Sequence, residues 1–440
     1  MSTFRHPNVD APRVAQDAEA LRETMIGTLW EIGAVRSDRV AEVFRAVPRY
    51  LFAPGAPLEA AYDPRDAVHV KWDERGVPIS TVSSPQLQGS MLEQADIRPG
   101  MTALEIGSGG VNAAMMSWLA GPEGRVTTVD IDSDVTERAR RLLDAAGYER
   151  VNVVLADAEN GVPEYAPFDR IIVTAGAWEV CPAWVDQLAP GGRLVVPLRM
   201  RGLTRSLELE REGDHLVSRS AMICGFVAMQ GAGAHREQLV PLRGTKAVLR
   251  FDDGWSGEQV TDWDGVLDTP RAEAWSGVTI GGTESFETLQ LWLATVFPGF
   301  GKLRADADQH SVLVDGDNMW FDSAAIAGDS FAYLTTRRVE SGVSEFGAHA
   351  FGPHATDLAE AMAEQVRIWD REQRRGPGPS FAVWPLNTPD ERLPEGLVVN
   401  KRHHRVTISW PGATTAATGQ GTRNNHKESD HHDPGPYPTG

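Results

Sequence analysis

The chain has 440 residues, 41% of them hydrophobic, and carries 61 acidic against 42 basic side chains for a formal net charge of −19. A surface that acidic repels phosphate backbones and anionic lipid, which excludes nucleic acid and membrane surfaces as general partners. Two cysteines, Cys181 and Cys224, give no disulfide framework and no CxxC metal motif, so a reducing, cytoplasmic setting with no bound metal is expected.

The first residues carry no apolar signal core, and no run of about 18 apolar residues is available to span a membrane. Val14, Ala18, Leu21, Met25, Leu29 and Ile32 keep helical spacing and predict an amphipathic helix over 15–32. Ser37 is placed to cap a second helix, with Val40, Val43, Phe44 and Val47 on one face and Pro48 at its end. Runs at 68–72 and 77–82 flank the turn signal DERG and predict a hairpin. Residues 87–95 read as a helix.

Beyond Met101 the pattern alternates. Strands are expected at 103–106, 125–129, 151–155, 168–173 and 193–197, with helices at 113–119, 134–146 and 178–188. Such alternation means right-handed crossovers and a parallel sheet. A hairpin at 207–212 and 215–220 adds antiparallel strands at one edge. The fold class is therefore α/β, a Rossmann-like doubly wound sheet with N-terminal helices. After Gly244 the character changes. Strand-like runs (247–251, 311–314, 331–336, 406–410) and helices at 284–296 and 355–371 predict an α+β extension of about 165 residues. Residues 345–357 and 374–379 read as loops. Residues 413–440 have almost no large apolar side chains and are expected to be disordered, with His431-His432 a solvated pair and no metal site. The expected division is 1–36 helical, 37–243 catalytic, 244–412 C-terminal α+β and 413–440 tail.

The chemistry centres on Gly107-Ser108-Gly109-Gly110, a tight turn between the 103–106 strand and a helix. Taken alone, such a turn also serves purely structural ends. Asp130, about 20 residues on and at the end of the next strand, is placed to bind the two hydroxyls of a ribose. The turn has no Lys or Arg, and Glu105 before it would repel a pyrophosphate but suits an ammonium. This combination points to S-adenosylmethionine, which has an amino group, a sulfonium and no phosphate. Asp157, followed by Ala158, ends the third strand, where a carboxylate can accept from an adenine amino group. Acids at three successive strand ends mark a ligand site, because α/β sites lie at strand C-termini.

Several ordered blocks then resemble the protein-L-isoaspartate O-methyltransferase family, across roughly Arg39 to Gly231. They are RVAEVFRAVPRYLFAP (39–54), TVSSPQLQGSMLE (81–93), LEIGSGG (104–110), APFDRIIVTAGA (166–177) and DQLAPGGRLVVP (186–197). The segment GFVAM (225–229) is similar to the family's closing strand, with Ala228 in place of a proline. The family's motif T-[IV]-S-x-P supplies its active-site serine, which the resemblance places at Ser83, with Thr81, Val82, Ser84 and Gln86 around the substrate. Where the family carries histidines, this chain has Gln86 and Gln88, and Gly110-Val111-Asn112 replaces a Ser-Gly pair.

The reaction implied is methylation of an Asp or isoAsp carboxylate in a peptide or protein. A carboxylate has a reference pKa near ~4 and is ionised at neutral pH, so no general base is required. The ester then collapses to a succinimide, which water opens to aspartate or isoaspartate. Repair members of the family are much shorter than this chain. The extended form resembles methyltransferases that tailor ribosomally made peptides such as lanthipeptides and graspetides, so a macrocyclised precursor peptide is the expected partner. Repair of damaged proteins is the alternative. A degenerate fold serving as a binding module is a third reading, prompted by the altered glycine turn and the missing histidines.

Overall fold

The computed structural model describes residues 11–242, 247–253, 265–305, 313 and 319–412. Two helices, α1 (Ala11–Glu31) and α2 (Asp38–Ala46), open the chain. Ser37 caps α2 by accepting from the Val40 amide at 3.3 Å, as its position predicts. Then come α3 (Leu58–Ala61), the hairpin β1 (Val68–Trp72) and β2 (Pro78–Val82), and α4 (Pro85–Ala95). Pro85 sits in the first turn of α4, where a missing N–H costs nothing, and Ser84 caps it.

The alternating stretch forms β3 (Thr102–Ile106), α5 (Val111–Ala120), β4 (Arg125–Asp130), α6 (Ser133–Ala145), β5 (Asn152–Leu155), β6 (Phe168–Val173), α7 (Pro182–Asp186) and β7 (Leu188–Met200). Two antiparallel strands follow, β8 (Leu203–Glu212) and β9 (His215–Ile223). Strands β5, β4, β3, β6 and β7 lie side by side in parallel register, and β8 and β9 continue the sheet antiparallel. This is the Rossmann-like sheet that the alternation predicts. The helix expected at 178–188 is only five residues long, and the Pro190-Gly191-Gly192 turn is absorbed into the long β7.

The rest of the chain departs from the expected division at Gly244. Strands β10 (Gln238–Pro241), β11 (Val248–Phe251), β12 (Ala272–Gly281), β13 (Phe300–Arg304), β14 (Met319–Ala327), β15 (Ser330–Glu340) and β16 (Val343–Phe351) form a second, antiparallel sheet. It therefore begins inside the segment assigned to the catalytic unit. Helices α8 (Glu287–Val296) and α9 (Ala355–Glu372) accompany it. The last strands, β17 (Ser380–Pro385), β18 (Leu397–Asn400) and β19 (His404–Ser409), return to the first sheet. They extend it beyond β9, giving ten strands in the order β18-β19-β17-β9-β8-β7-β6-β3-β4-β5.

One apolar core binds the two sheets together. It joins Leu194, Leu207 and Leu209 to Leu291 and Leu293 of α8, Val366 and Trp369 of α9, and Leu334, Phe346 and Ala348 of the second sheet. A second core on the opposite face packs α1, α2, α4 and α5. The loop expected at 345–357 is in fact β16 and the start of α9. Most of β16 is buried without alternation, so no period-2 pattern announces it. The tail at 413–440 and most of the 311–314 run lie outside the described residues.

Candidate active site

A cavity opens at the carboxyl ends of β3, β4, β5 and β6, where ligands bind in open α/β sheets. Its lining includes Gly107, Ser108, Gly109, Asp130, Asp157 and Ala158, all singled out by sequence. Gly107 has φ +99°, and a Cβ there would run into the Thr174 hydroxyl. That hydroxyl lies 3.0 Å and 3.1 Å from the carbonyl oxygens of Ile106 and Gly107, fixing the turn to the end of β6. Gly110 has φ +86° and faces the Phe52 ring, so a Cβ would be crowded at 3.1 Å. Gly110, which departs from the family's pattern, thus starts α5 against an aromatic wall.

The acidic residues divide. Asp130 lines the cavity, accepts from the Ser108 amide at 2.9 Å and from the Asp132 amide at 2.9 Å, and has its pKa raised by burial. Asp157 also lines it, and its two oxygens accept from the Glu159 amide at 3.0 Å and the Ala232 amide at 2.9 Å. Glu105 does not line it. Its buried carboxyl accepts from the Thr128 hydroxyl at 2.6 Å and bonds Asn112, and burial pushes its pKa up to about 7. The expected direct contact between Glu105 and a ligand ammonium is therefore corrected. Beneath the turn, Glu105 braces β4 and α5 instead.

The hairpin β1–β2 forms the near wall of the cavity through Ile79, Ser80 and Thr81. The Thr81 carbonyl lies 3.7 Å from where a Cβ would stand on Gly109, so β2 crosses directly over the glycine turn. Lys71 of β1 bonds Asp132 at 2.6 Å and Asp134 at 2.8 Å, tying the hairpin to the start of α6. The far wall is residues 227–230. These form no extended strand, only an isolated bridge in which the Gly176 amide donates to Val227 O at 2.8 Å.

Ser83 follows β2 directly and is partly exposed. Of the neighbours assigned to the substrate, Thr81 lines the cavity and Gln86 is half-buried. Val82 and Ser84 are corrections. Val82 is 1% exposed and sits in the apolar core, and the buried Ser84 hydroxyl caps α4. Both belong to the scaffold.

Sequence reasoning missed Arg49. It is fully buried, with its pKa lowered by that burial to about 9. Its guanidinium donates to Ala61 O at 2.6 Å, Ser83 O at 2.5 Å, Val82 O at 3.4 Å and the Gln88 side-chain oxygen. A neutral acceptor at position 88 suits this cation, and an imidazolium there would face a buried like charge. The substitution that looked like lost chemistry is thus the partner of the residue that holds the Ser83 carbonyl.

The residues fit a nucleoside cofactor without phosphate. Among the described residues no Lys or Arg lines the cavity, and Ser108, 1% exposed, has a hydroxyl with no partner on the cavity wall. Such an orphaned donor is costly unless a ligand satisfies it. Burial raises the thiol pKa of both Cys181 and Cys224, that of Cys224 to about 12, and neither lines the cavity. No cluster of metal-binding side chains occurs among the described residues, and no helix there is long and apolar enough to cross a membrane.

Residues 20–233 match the family described as protein-L-isoaspartate(D-aspartate) O-methyltransferase. A protein-L-isoaspartate O-methyltransferase of Hyperthermus butylicus is 35% identical over 238 residues, covering 50% of this chain and 95% of the relative. That of Methanopyrus kandleri is 37% identical over 222 residues, covering 49% and 94%. Among solved structures, a protein-L-isoaspartate O-methyltransferase aligns at TM-score 0.46 and 21% identity, over 82% of this chain and 96% of that one.

Proposed function

Since the chain belongs to the protein-L-isoaspartate O-methyltransferase family and is an S-adenosylmethionine-dependent methyltransferase, we propose that it esterifies the free carboxyl of an isoaspartyl residue in a polypeptide, as a repair enzyme does. The observation that carries this reading is the cavity of Gly107, Ser108, Asp130 and Asp157 walled by a hairpin whose last residue, Val82, directly precedes Ser83. Asp130 would hold the ribose hydroxyls, Asp157 and Ala158 the adenine edge, and the Ser108 hydroxyl a polar group of the cofactor. When bound, the cofactor supplies an electrophilic methyl group.

The chain's own part is positioning. The substrate carboxylate is ionised at neutral pH and needs no base. Ser83 orients it, and Arg49 fixes Ser83 by gripping its carbonyl. Holding reactants in line supplies much of the rate in such a reaction. The backbone nitrogen that follows then attacks the ester carbonyl, methanol leaves, and a succinimide ring closes. Water opens the ring to aspartate or isoaspartate.

The test uses the full chain with an isoaspartyl peptide and cofactor, followed by mass spectrometry. The peptide mass should rise by one methylene and then fall below its starting value by one water. Ser83→Ala should lower kcat ~10–100-fold with cofactor affinity unchanged, the size expected when a positioning contact is lost. Wild-type turnover in Ser83→Ala would remove Ser83 from the site.

A second reading keeps the same chemistry but takes an ordinary Asp in a macrocyclised precursor peptide as substrate. The extension favours it: the relatives are matched over nearly their whole length, yet cover only about half of this chain. Efficient methylation of a cyclised Asp peptide with neglect of isoaspartyl peptides would choose this reading. The reverse preference would choose repair.

A further inference from the structure

The molecule has a second large depression, away from the cofactor cavity. It is a groove of about 550 Å³ between β9, the start of α8, residues 376–381 and residues 409–411. Four consecutive residues of β9, 218–221, line it. Successive strand side chains point to opposite faces, so a wall of consecutive residues is a backbone edge and not a face. The opposite wall, residues 376–381, is likewise consecutive.

The pairing explains why this edge is open. β8 pairs with β9 along its whole length, from His215 to Ile223. On the other side β17 pairs with β9 only at Leu216 and Val217. At Phe381 the two strands splay, and the Phe381 amide donates at 3.0 Å to the Ser218 hydroxyl instead of a ladder carbonyl. Pro377 and Pro379 follow in the opposite wall, and neither has an N–H to donate. Residues 219–223 therefore have no strand beside them on the side away from β8, among the described residues.

An unpaired strand edge in a groove is a template for another extended chain, which gains main-chain hydrogen bonds by joining the sheet. The groove also leads to the reaction. β9 ends at Ile223, and residues 227–230 just beyond it form the far wall of the cofactor cavity. At ~3.3 Å per residue, Ala221 lies within about 20 Å of Val227 along the chain. Two walls meet a bound strand with different chemistry: Leu291 and Trp410 back the groove as largely buried apolar side chains, and Arg219 stands exposed at the edge, paired with Glu210 at 2.8 Å.

We propose that this groove binds an extended segment of the substrate polypeptide as an added strand on β9, so that a residue beyond the segment reaches the site at Ser83. The inference rests on the reading that the substrate is a polypeptide. It assigns the extension a specific task, since α8, residues 376–381 and residues 409–411 build three of the four walls.

The test compares isoaspartyl peptides with flanks of about two and about ten residues, the longer sufficient to span the groove. Ala221, exposed on the β9 wall of the groove, is replaced by Trp to fill it. The wild type should show a KM ~10-fold lower for the long peptide, and Ala221→Trp should erase that gain while leaving kcat and the short-peptide KM unchanged. N-methylation of alternate flank amides should abolish the gain in one phase and spare it in the other, because a strand exposes every second N–H to its neighbour. Equal KM values for both flanks, or indifference of the gain to Ala221→Trp and to N-methylation, would overturn the proposal. Fluorescence anisotropy of the labelled long peptide separates the two readings. Binding that Ala221→Trp abolishes, without methyl transfer, would uphold the groove and discard the isoaspartyl substrate; no binding and no transfer would discard both.

Discussion

Glu105 carries the clearest pH signature of the site. Burial raises its pKa from 4.5 to about 7. Between those values the folded protein holds a proton that the unfolded chain has released, so stability falls as pH rises through that window. Above pH 7 the buried carboxylate costs about 3 kcal/mol. Glu105→Gln keeps an oxygen for the Thr128 hydroxyl and removes the charge. Its denaturant midpoint should match the wild type near pH 4.5 and exceed it at pH 8; equal gaps at both values would show that Glu105 does not titrate in this window. Arg49 is a different case. Burial lowers its pKa only to about 9, so it remains a cation at neutral pH. Arg49→Met preserves bulk but strands acceptors at Ala61, Val82, Ser83 and Gln88, and thermal or denaturant unfolding should report a loss of about 2–4 kcal/mol. The sequence identified the acids at the strand ends but not where each points. Orientation depends on which neighbour, Thr128 or the cavity, the strand pleat presents, and Arg49 lies far from its partners along the chain.

At the scale of elements, the hairpin β1–β2 closes the near side of the cavity. Its strands were legible from the runs flanking DERG, and its place over the glycine turn was not, because that depends on long-range contacts: Val82 in the apolar core, Arg49 on the Val82 and Ser83 carbonyls, and an ion pair at Lys71. Lys71 bridges β1 to Asp132 and Asp134, and its pKa is raised by hydrogen bonds to Asp132 and then Asp134. Lys71→Met should loosen the roof and raise the KM for S-adenosylmethionine ~3–10-fold at low salt, with less change in kcat. Because a partly exposed pair is screened by ions, the wild type should approach the variant as salt is raised. A salt-independent difference would assign Lys71 a packing role. The glycine turn tells the same story in smaller compass. Gly107 and Gly109 could be read from the turn between strand and helix, whereas Gly110 is explained by Phe52, a residue of the preceding helical region.

At the scale of the whole molecule, the chain does not divide where its composition changes. The parallel sheet was legible because strand and helix periods alternate cleanly up to β7. The return of β17, β19 and β18 to that sheet was not, because strand pairing across more than 160 residues leaves no local mark. The consequence is physical. Leu198, Leu207, Leu209 and Leu216 are buried in the core shared with α8, α9 and the returning strands. Lys401, wholly buried, bonds Asp253 at 2.9 Å and the Arg199 carbonyl at 2.8 Å, so the end of β7 is locked from the C-terminal side as well. A fragment ending at residue 243 would uncover all of these at once. Each large side chain exposed costs about 1.5–3 kcal/mol, and a few of them match the ~5–15 kcal/mol that hold a typical domain folded. Although relatives of about that length stand alone, this fragment should lack a cooperative thermal transition and bind a hydrophobic dye, while the full chain melts sharply. A fragment that melts cooperatively and binds S-adenosylmethionine as the full chain does would mean that the extension is an appendage. The observed sheet order, with β17 paired to β9, makes the extension an integral half of the fold.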